Sequence, residues 1–285
     1  MNLLAGHTNT DILRIVQIKK VIEETPTIRT FVFEDEYSVA SMPGQFLMVW
    51  IPQTEELPMS VGIEKVESRK FAAVTVRKYG IGSTSLYHKQ VGEKIGIRGP
   101  YGNSFSIPKN LKNALLIGGG TGLVPLVRLF SDLLQGLIQT SIIIGARTKD
   151  EVLFEHKVQK LLSDNNLDDN SVAFSTDDGT YGFKGSTVEL AESILVSKKF
   201  EIMYTCGPEL MMKGVQKLGE RLSIPVEASL ERYMKCAIGI CGSCCINDKL
   251  VCHDGTVFDS NSLKQLTEFG VSYRDKSGRP SYFIS

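Results

Sequence analysis

Four of the six cysteines stand at Cys236, Cys241, Cys244 and Cys252. No other feature restricts so narrowly what the end of this chain can become. The first three follow C-x4-C-x2-C, and the fourth comes after a further seven residues. Thiolates at these intervals form the plant-type pattern for a [2Fe–2S] cluster, with a tight loop supplying three ligands and a later segment the fourth. Gly239 and Gly242 let the backbone wrap an inorganic core and turn N–H groups toward its sulfides. Structural zinc is the alternative, yet zinc modules favour paired C-x2-C knuckles and only one such pair is present. A disulfide scaffold would need a denser set than six cysteines in 285 residues. Cys245 adjoins Cys244 but falls outside the ligand pattern.

The remaining composition mostly excludes. Lys plus Arg balance Asp plus Glu at 32 each, so no basic field attracts nucleic acid. No run of apolar residues is long enough to span a bilayer. The opening residues, Met1 to Thr10, carry neither a basic nor a sustained apolar leader, and the expected setting is cytoplasmic. A chain of 285 residues has room for more than one core.

Three patterns divide it. Over residues 1–108 short apolar runs (Ile12–Val21, Thr27–Phe33, Gln45–Ile51, Ala72–Val76, Glu93–Ile97) alternate with Gly and Pro turns, which predicts an antiparallel β-barrel. Over 109–226 strand-length runs (Ala114–Ile117, Ser141–Gly145, Ser171–Thr176, Glu201–Cys206) alternate with helical periodicity (Leu123–Gln135, Glu151–Leu162, Thr187–Leu195, Glu209–Leu222). Repeated βα units predict a doubly wound parallel α/β sheet. Residues 227–285 hold the cysteines as a small C-terminal cluster-binding segment.

The run Ala114–Ile117 leads into Gly118, Gly119, Gly120, Thr121 and Gly122, and then into helical sequence. A strand, a glycine turn and a helix start form a cradle for the phosphates of a dinucleotide. The spacing is not a strict G-x-G-x-x-G, so a plain strand-to-helix turn stays open on this loop alone. Cys206, Gly207 and Pro208 close another strand; Cys206 is a candidate to lie against a nicotinamide, and equally a small residue buried at a strand end. Asp177 closes a third strand, where a carboxylate can bond a ribose hydroxyl, and Arg147 closes the second, where it suits a phosphate or a surface pair. Nothing here separates NAD from NADP. His7, His88, His156 and His253 form no constellation with carboxylates or serine, and no catalytic acid or base is expected.

A β domain, a dinucleotide-binding α/β domain and a C-terminal plant-type cluster together resemble the ferredoxin reductase superfamily. Within it the chain is similar to the electron-transfer subunits of type B dihydroorotate dehydrogenases, from about residue 11 to about 280. The most specific stretch is Leu230 to Cys244, then Val251-Cys-His-Asp-Gly-Thr-Val-Phe258, which resembles the family's V-C-x-D-G-P-V-F. The resemblance implies FAD in the β domain, with Pro58, Met59 and Ser60 at the R-P-x-S position along the isoalloxazine. It implies Thr75, Val76 and Arg77 on the strand carrying a flavin-phosphate arginine. Gly80, Ile81, Gly82 and Ser83 match the turn that receives the pyrophosphate, and Gly99–Gly102 match the closing turn.

Three positions depart from the family pattern. Leu57 replaces the R-P-x-S arginine, Ala237 replaces a glycine, and Thr256 replaces a proline. If position 237 needs positive φ, alanine strains the loop by about 1 kcal/mol. The resemblance further implies electron flow from an FMN-containing, dihydroorotate-oxidising partner subunit through [2Fe–2S] and FAD to NAD⁺, in a heterotetramer serving pyrimidine biosynthesis. Two other readings stand beside it: a flavin and iron–sulfur reductase subunit of a hydrogenase, sulfite reductase or ferredoxin system, and a zinc-stabilised nucleotide-sensing module without redox activity.

Overall fold

The computed structural model describes residues 9–167 and 169–283. The leader-free reading of the first residues lies largely outside them. Seven strands build the N-terminal unit: β1 (Arg14–Thr25), β2 (Ile28–Phe33), β3 (Phe46–Trp50), β4 (Glu56–Ser60), β5 (Gly62–Val66), β6 (Arg69–Arg77) and β7 (Lys94–Tyr101). They pair antiparallel in the order β4-β3-β7-β1-β2-β6-β5, and the sheet curls until β4 lies beside β6. Two short helices, α1 (Glu36–Val39) and α2 (Ile81–Tyr87), fill the connections. Alternation sorts the side chains of β3. Leu47 and Val49 enter the barrel core with Phe31, Phe33 and Val74, whereas Phe46 and Met48 face outward into a second core.

A second sheet follows, from β8 (Asn113–Gly119), β9 (Gln139–Ala146), β10 (Val172–Thr176), β11 (Phe183–Lys184), β12 (Ile202–Cys206) and β13 (Val226–Ser229). Its order is β11-β10-β9-β8-β12-β13, parallel throughout, so the chain reverses direction across the sheet between β8 and β12. Helices α3 (Leu123–Gln135) and α4 (Glu155–Asp164) cover one face; α5 (Thr187–Ser197) and α6 (Glu209–Leu222) cover the other. Buried on both faces, β8 needs no polar alternation: Ala114, Leu115, Leu116 and Ile117 are all fully buried, and each large side chain contributes about 2 kcal/mol of transfer free energy.

The cysteine segment carries the hairpin β14 (Cys245–Ile246) and β15 (Lys249–Leu250), the single turn α7 (Val251–Asp254), β16 (Val257–Asp259), α8 (Ser260–Gln265), and a last hairpin of β17 (Ser272–Arg274) and β18 (Pro280–Tyr282). β16 pairs antiparallel with β13, giving the otherwise parallel sheet one antiparallel edge strand. Sheet and cysteine segment are therefore continuous across residue 226. Phe46, Met48 and Tyr101 of the barrel, Met212 and Val215 of α6, and Met234, Cys244 and Cys252 share one core. No helix among the described residues is long and apolar enough to cross a membrane.

Candidate functional site

The glycines between β8 and α3 do different jobs. A Cβ on Gly122 would meet Gly207 N at 2.5 Å and the Cys206 backbone at 2.6 Å, so this glycine lets the loop press against the end of β12. A Cβ on Gly118 would run into Leu126 and Leu123 of α3 at 2.6 and 2.9 Å. Gly120 differs: its φ is +56°, and a Cβ there would meet nothing within 4 Å. It fronts open space at the start of a 13-residue helix, the place where a phosphate group could approach the backbone. Gly119 and Thr121 complete this turn, and Gly207, at φ +149°, packs on the Gly119 carbonyl. The structure thus gathers Gly118–Gly122 and Cys206–Pro208 at the carboxyl ends of adjacent strands, where doubly wound sheets bind ligands.

Cys206 is buried, and its thiol is pushed up to about 12, by burial first and then by the Glu231 carboxylate, against the Ser229 hydroxyl. It remains a neutral thiol at physiological pH and is no nucleophile. Further along the same edge, Asp177 is exposed and its side chain takes no hydrogen bond among the described residues. Its neighbour Asp178 closes a local turn by accepting from Thr180 N (3.0 Å) and Oγ1 (2.7 Å).

On the barrel, β4 carries Pro58, Met59 and Ser60. Met59 points into the core, while Pro58 and Ser60 on the opposite face stay half-buried. Val76 faces the barrel core with Val74, whereas Thr75 is buried on the opposite face of β6, where its hydroxyl meets that of Thr30 at 2.8 Å. Met59 and Val76, turned into the core, can meet a ligand through backbone more than through side chain. Leu57 is half-buried against the barrel core. Arg77 reaches across to the second sheet and donates to Glu151 Oε2 at 2.8 Å. Ser83 Oγ accepts from Gly80 N at 2.8 Å. Gly82 N donates to Glu55 Oε1 at 3.2 Å, and Lys276 holds the other Glu55 oxygen at 2.8 Å. The Gly82 amide thus donates to an acidic oxygen, as it would to a flavin pyrophosphate.

The cluster loop is irregular backbone with Ala237, Gly239 and Gly242 at φ +66°, +79° and +69°. Amides of Ile240 and Cys241 donate to Cys236 Sγ at 3.4 Å, and Cys252 N donates to Cys244 Sγ at 3.4 Å. Such donors stabilise thiolate ligands. Cys244 and Cys252 are buried, Cys236 half-buried and Cys241 exposed, so one wall of the loop faces the core and the other the solvent. Burial, with the neighbouring Cys244, pushes the Cys252 thiol up to about 12. Burial also acts against the Cys241 thiolate, yet hydrogen bonds from Ser243 and Cys236 outweigh it and bring that thiol down to about 6. Among the described residues no three His, Cys, Asp or Glu side chains converge on one point as ligands of a single ion would. A two-iron core takes two thiolates on each iron and does not need such a point. The donor set, the inward amides and the open side of Gly242, where a Cβ would meet nothing within 4 Å, fit a [2Fe–2S] cluster.

Several residues that hold these sites together have no signature in local sequence. Arg98 grips Glu56 of β4 through both carboxylate oxygens (2.6 and 2.9 Å) and reaches to 3.5 Å from the Cys236 carbonyl. Asn103 exchanges two 2.8 Å hydrogen bonds with the Val257 backbone, and its own amide donates to Gly255 O at 2.6 Å. Thr256, the departure from proline, donates to Gly44 O at 2.7 Å and accepts from Ser229 at 3.2 Å, joining barrel, sheet and cysteine segment. Glu151 lies four residues after Arg147, a spacing visible in the sequence, but its bond to Arg77, 74 positions away, is not.

Comparison with known proteins bears on each part. Residues 231–264 match the iron–sulfur cluster binding domain of dihydroorotate dehydrogenase B, and residues 116–217 match the oxidoreductase NAD-binding domain. A relative from Methanocaldococcus jannaschii, described as a probable dihydroorotate dehydrogenase B (NAD(+)) electron transfer subunit, is 39% identical over 94% of this chain and 98% of its own. One of the same description from Methanocella arvoryzae is 40% identical over 92% and 96%. Among solved structures, an NADH-dependent reduced ferredoxin-NADP oxidoreductase superposes with TM-score 0.75 at 25% identity, covering 93% of this chain and 94% of that one. The FAD/NAD-binding domain of a Vibrio cholerae nitric oxide dioxygenase shares the fold, with TM-score 0.64 at 19% identity over 74% of this chain. With cluster loop, nucleotide sheet and flavin-type barrel all matched over nearly the whole length, the chain belongs to the family of dihydroorotate dehydrogenase B electron-transfer subunits.

Proposed function

We propose that this chain carries electrons between NAD⁺ and a partner subunit that oxidises dihydroorotate to orotate on FMN, within pyrimidine biosynthesis. The complex we propose is a cytoplasmic heterotetramer of two copies of each subunit. The family carries this reading, and one feature of the structure supports it most: the three binding regions are bonded to one another directly. Arg98 links the flavin-type strand β4 to the Cys236 carbonyl, and Arg77 of the barrel donates to Glu151 of the nucleotide unit. When bound, nicotinamide, FAD and the [2Fe–2S] cluster supply hydride and single-electron chemistry.

The chain's own residues bind, orient and insulate. Gly118–Gly122 would cradle the dinucleotide phosphates, and Asp177 would take its ribose. Pro58–Ser60, Thr75–Arg77, Gly82 and Ser83 would line the flavin, and Cys236, Cys241, Cys244 and Cys252 would hold the cluster. Cys206, as a neutral thiol, offers a small uncharged surface beside Gly118 and neither donates nor takes a proton. Phe46, Met48, Tyr101 and Met234 keep water from the core side of the cluster loop.

Anaerobic purification followed by iron and flavin assay and a visible spectrum tests this. The expected result is two irons and one flavin per chain, bleached by NADH. Addition of the FMN subunit should then restore dihydroorotate-dependent NADH formation. A colourless protein containing zinc, or a chain that oxidises dihydroorotate unaided, would sink it.

A further inference from the structure

Two cations from different units, Arg77 of the barrel and Arg147 at the end of β9, converge on one carboxylate. Arg147 Nε donates to Glu151 Oε2 at 2.9 Å and Nη2 bonds Oε1, a two-point clasp; Arg77 Nη2 joins Oε2 at 2.8 Å. Arg147 itself is 67% exposed, whereas Glu151 is only 25% exposed. The carboxylate is therefore the fixed member and the arginine the one held to it. Glu151 stays below the ordinary carboxylate range, chiefly through Arg147 and then, against burial, through Arg77, so it is charged at any physiological pH. Asp177, at the end of the adjoining β10, adds a second negative charge that acts on Arg147. The other cation of this loop, Lys149, lies over the Tyr181 ring at 5.4 Å, and Asp150 beside it is exposed.

Position decides what this cluster touches. β9 and β10 lie on the side of β8 away from β12. A dinucleotide with its nicotinamide toward Cys206 and its phosphates at Gly120 therefore extends its adenosine ribose over the ends of β9 and β10. In doubly wound sheets an acidic group there bonds a free 2′-hydroxyl, and an unengaged arginine receives a 2′-phosphate. Here the arginine at the end of β9 is already clasped along one edge of its guanidinium, through Nε and Nη2, by a carboxylate that offsets its charge.

We propose that Glu151 sets the nucleotide preference of this site: by clasping Arg147 through Nε and Nη2 it fixes that cation and offsets the charge a 2′-phosphate would need, so the pocket accepts an adenosine ribose with a free 2′-hydroxyl and disfavours one bearing phosphate. The inference rests on the dinucleotide reading above and goes beyond it by naming the selecting residue.

The test measures binding of 5′-AMP and 2′,5′-ADP to the full-length protein by calorimetry, together with kcat/KM for NADH and NADPH. The parent should prefer 5′-AMP and NADH. Glu151→Gln should move both ratios toward the 2′-phosphorylated ligand by at least tenfold, and adding Arg147→Gln should abolish that gain. Ratios unchanged in Glu151→Gln, or a gain that persists without Arg147, would overturn the inference. If the parent binds neither fragment and is not reduced by NADH, the dinucleotide reading itself fails, which is a separate result.

Discussion

The nucleotide sheet and the cysteine segment meet at one core, yet they are held in place by different means. In the sheet, β8 is covered on both faces and paired along both edges, so its position follows from burial and a continuous ladder. The cluster loop has almost no ladder. Two-residue strands flank it, three residues within it have positive φ, and its bearings come from Arg98, Asn103 and Gly44 of the barrel. A sheet places its strand ends by itself; a cofactor loop that must wrap an inorganic core takes its position from its neighbours. Disturbing the sheet should therefore cost stability outright, while disturbing the segment's contacts should first loosen the cluster.

The largest effect is expected inside the sheet unit. Gly122→Ala puts a methyl group within 2.5 Å of backbone atoms that cannot move aside. Urea titration should show a loss of about 3 kcal/mol, whereas Gly120→Ala, which meets no atom, should lose only the roughly 1 kcal/mol of a non-glycine residue at positive φ. Equal losses would erase the distinction between the two glycines. Asn103→Ala comes next. It leaves the Val257 N–H and C=O without their side-chain partner, costing about 1.5 kcal/mol, and iron retained per chain after gel filtration should fall further than that stability loss alone explains. Full iron retention would mean that the barrel does not position the loop. The smallest effect belongs to Ala237→Gly. Relief of about 1 kcal/mol of strain at φ +66° nearly offsets the loss of a buried methyl worth about 0.8 kcal/mol, so the urea midpoint should hardly move. A drop as large as that of an ordinary strand Ala→Gly would show the backbone there to be unstrained.

Legibility in the sequence tracks the same division. Helices Leu123–Gln135 and Glu209–Leu222 are read with their true bounds, because apolar residues recur at helical spacing along the whole of each. The helix expected from Glu151 begins instead at Glu155, since Phe154 sits at φ +63° and breaks the first turn. That break leaves Glu151 in a short turn, free to reach Arg147 and Arg77. β4 and β5 escape notice because one holds Pro58 and the other opens on Gly62, both weak strand signals. The β13–β16 pairing is invisible for another reason. Four residues that include Glu227 pair with three that lie some thirty positions on, and nothing local announces the partner. The cysteine spacing is readable at once, being imposed by the geometry of a cluster; what orients that cluster is scattered over Glu56, Arg98, Asn103 and Thr256 and emerges only when the chain is folded.

β16 has a consequence beyond fixing the cysteine segment. A parallel sheet ending at β13 would present a bare row of amide and carbonyl groups, a template on which other chains could grow. The three-residue β16 pairs with that row in the opposite sense and is too short to serve as a template in its turn. The part of the chain that carries the metal thus doubles as the guard on the nucleotide sheet's border. A shortened protein of barrel and sheet alone would lose more than its electron outlet, because it would also lose what keeps it from self-association.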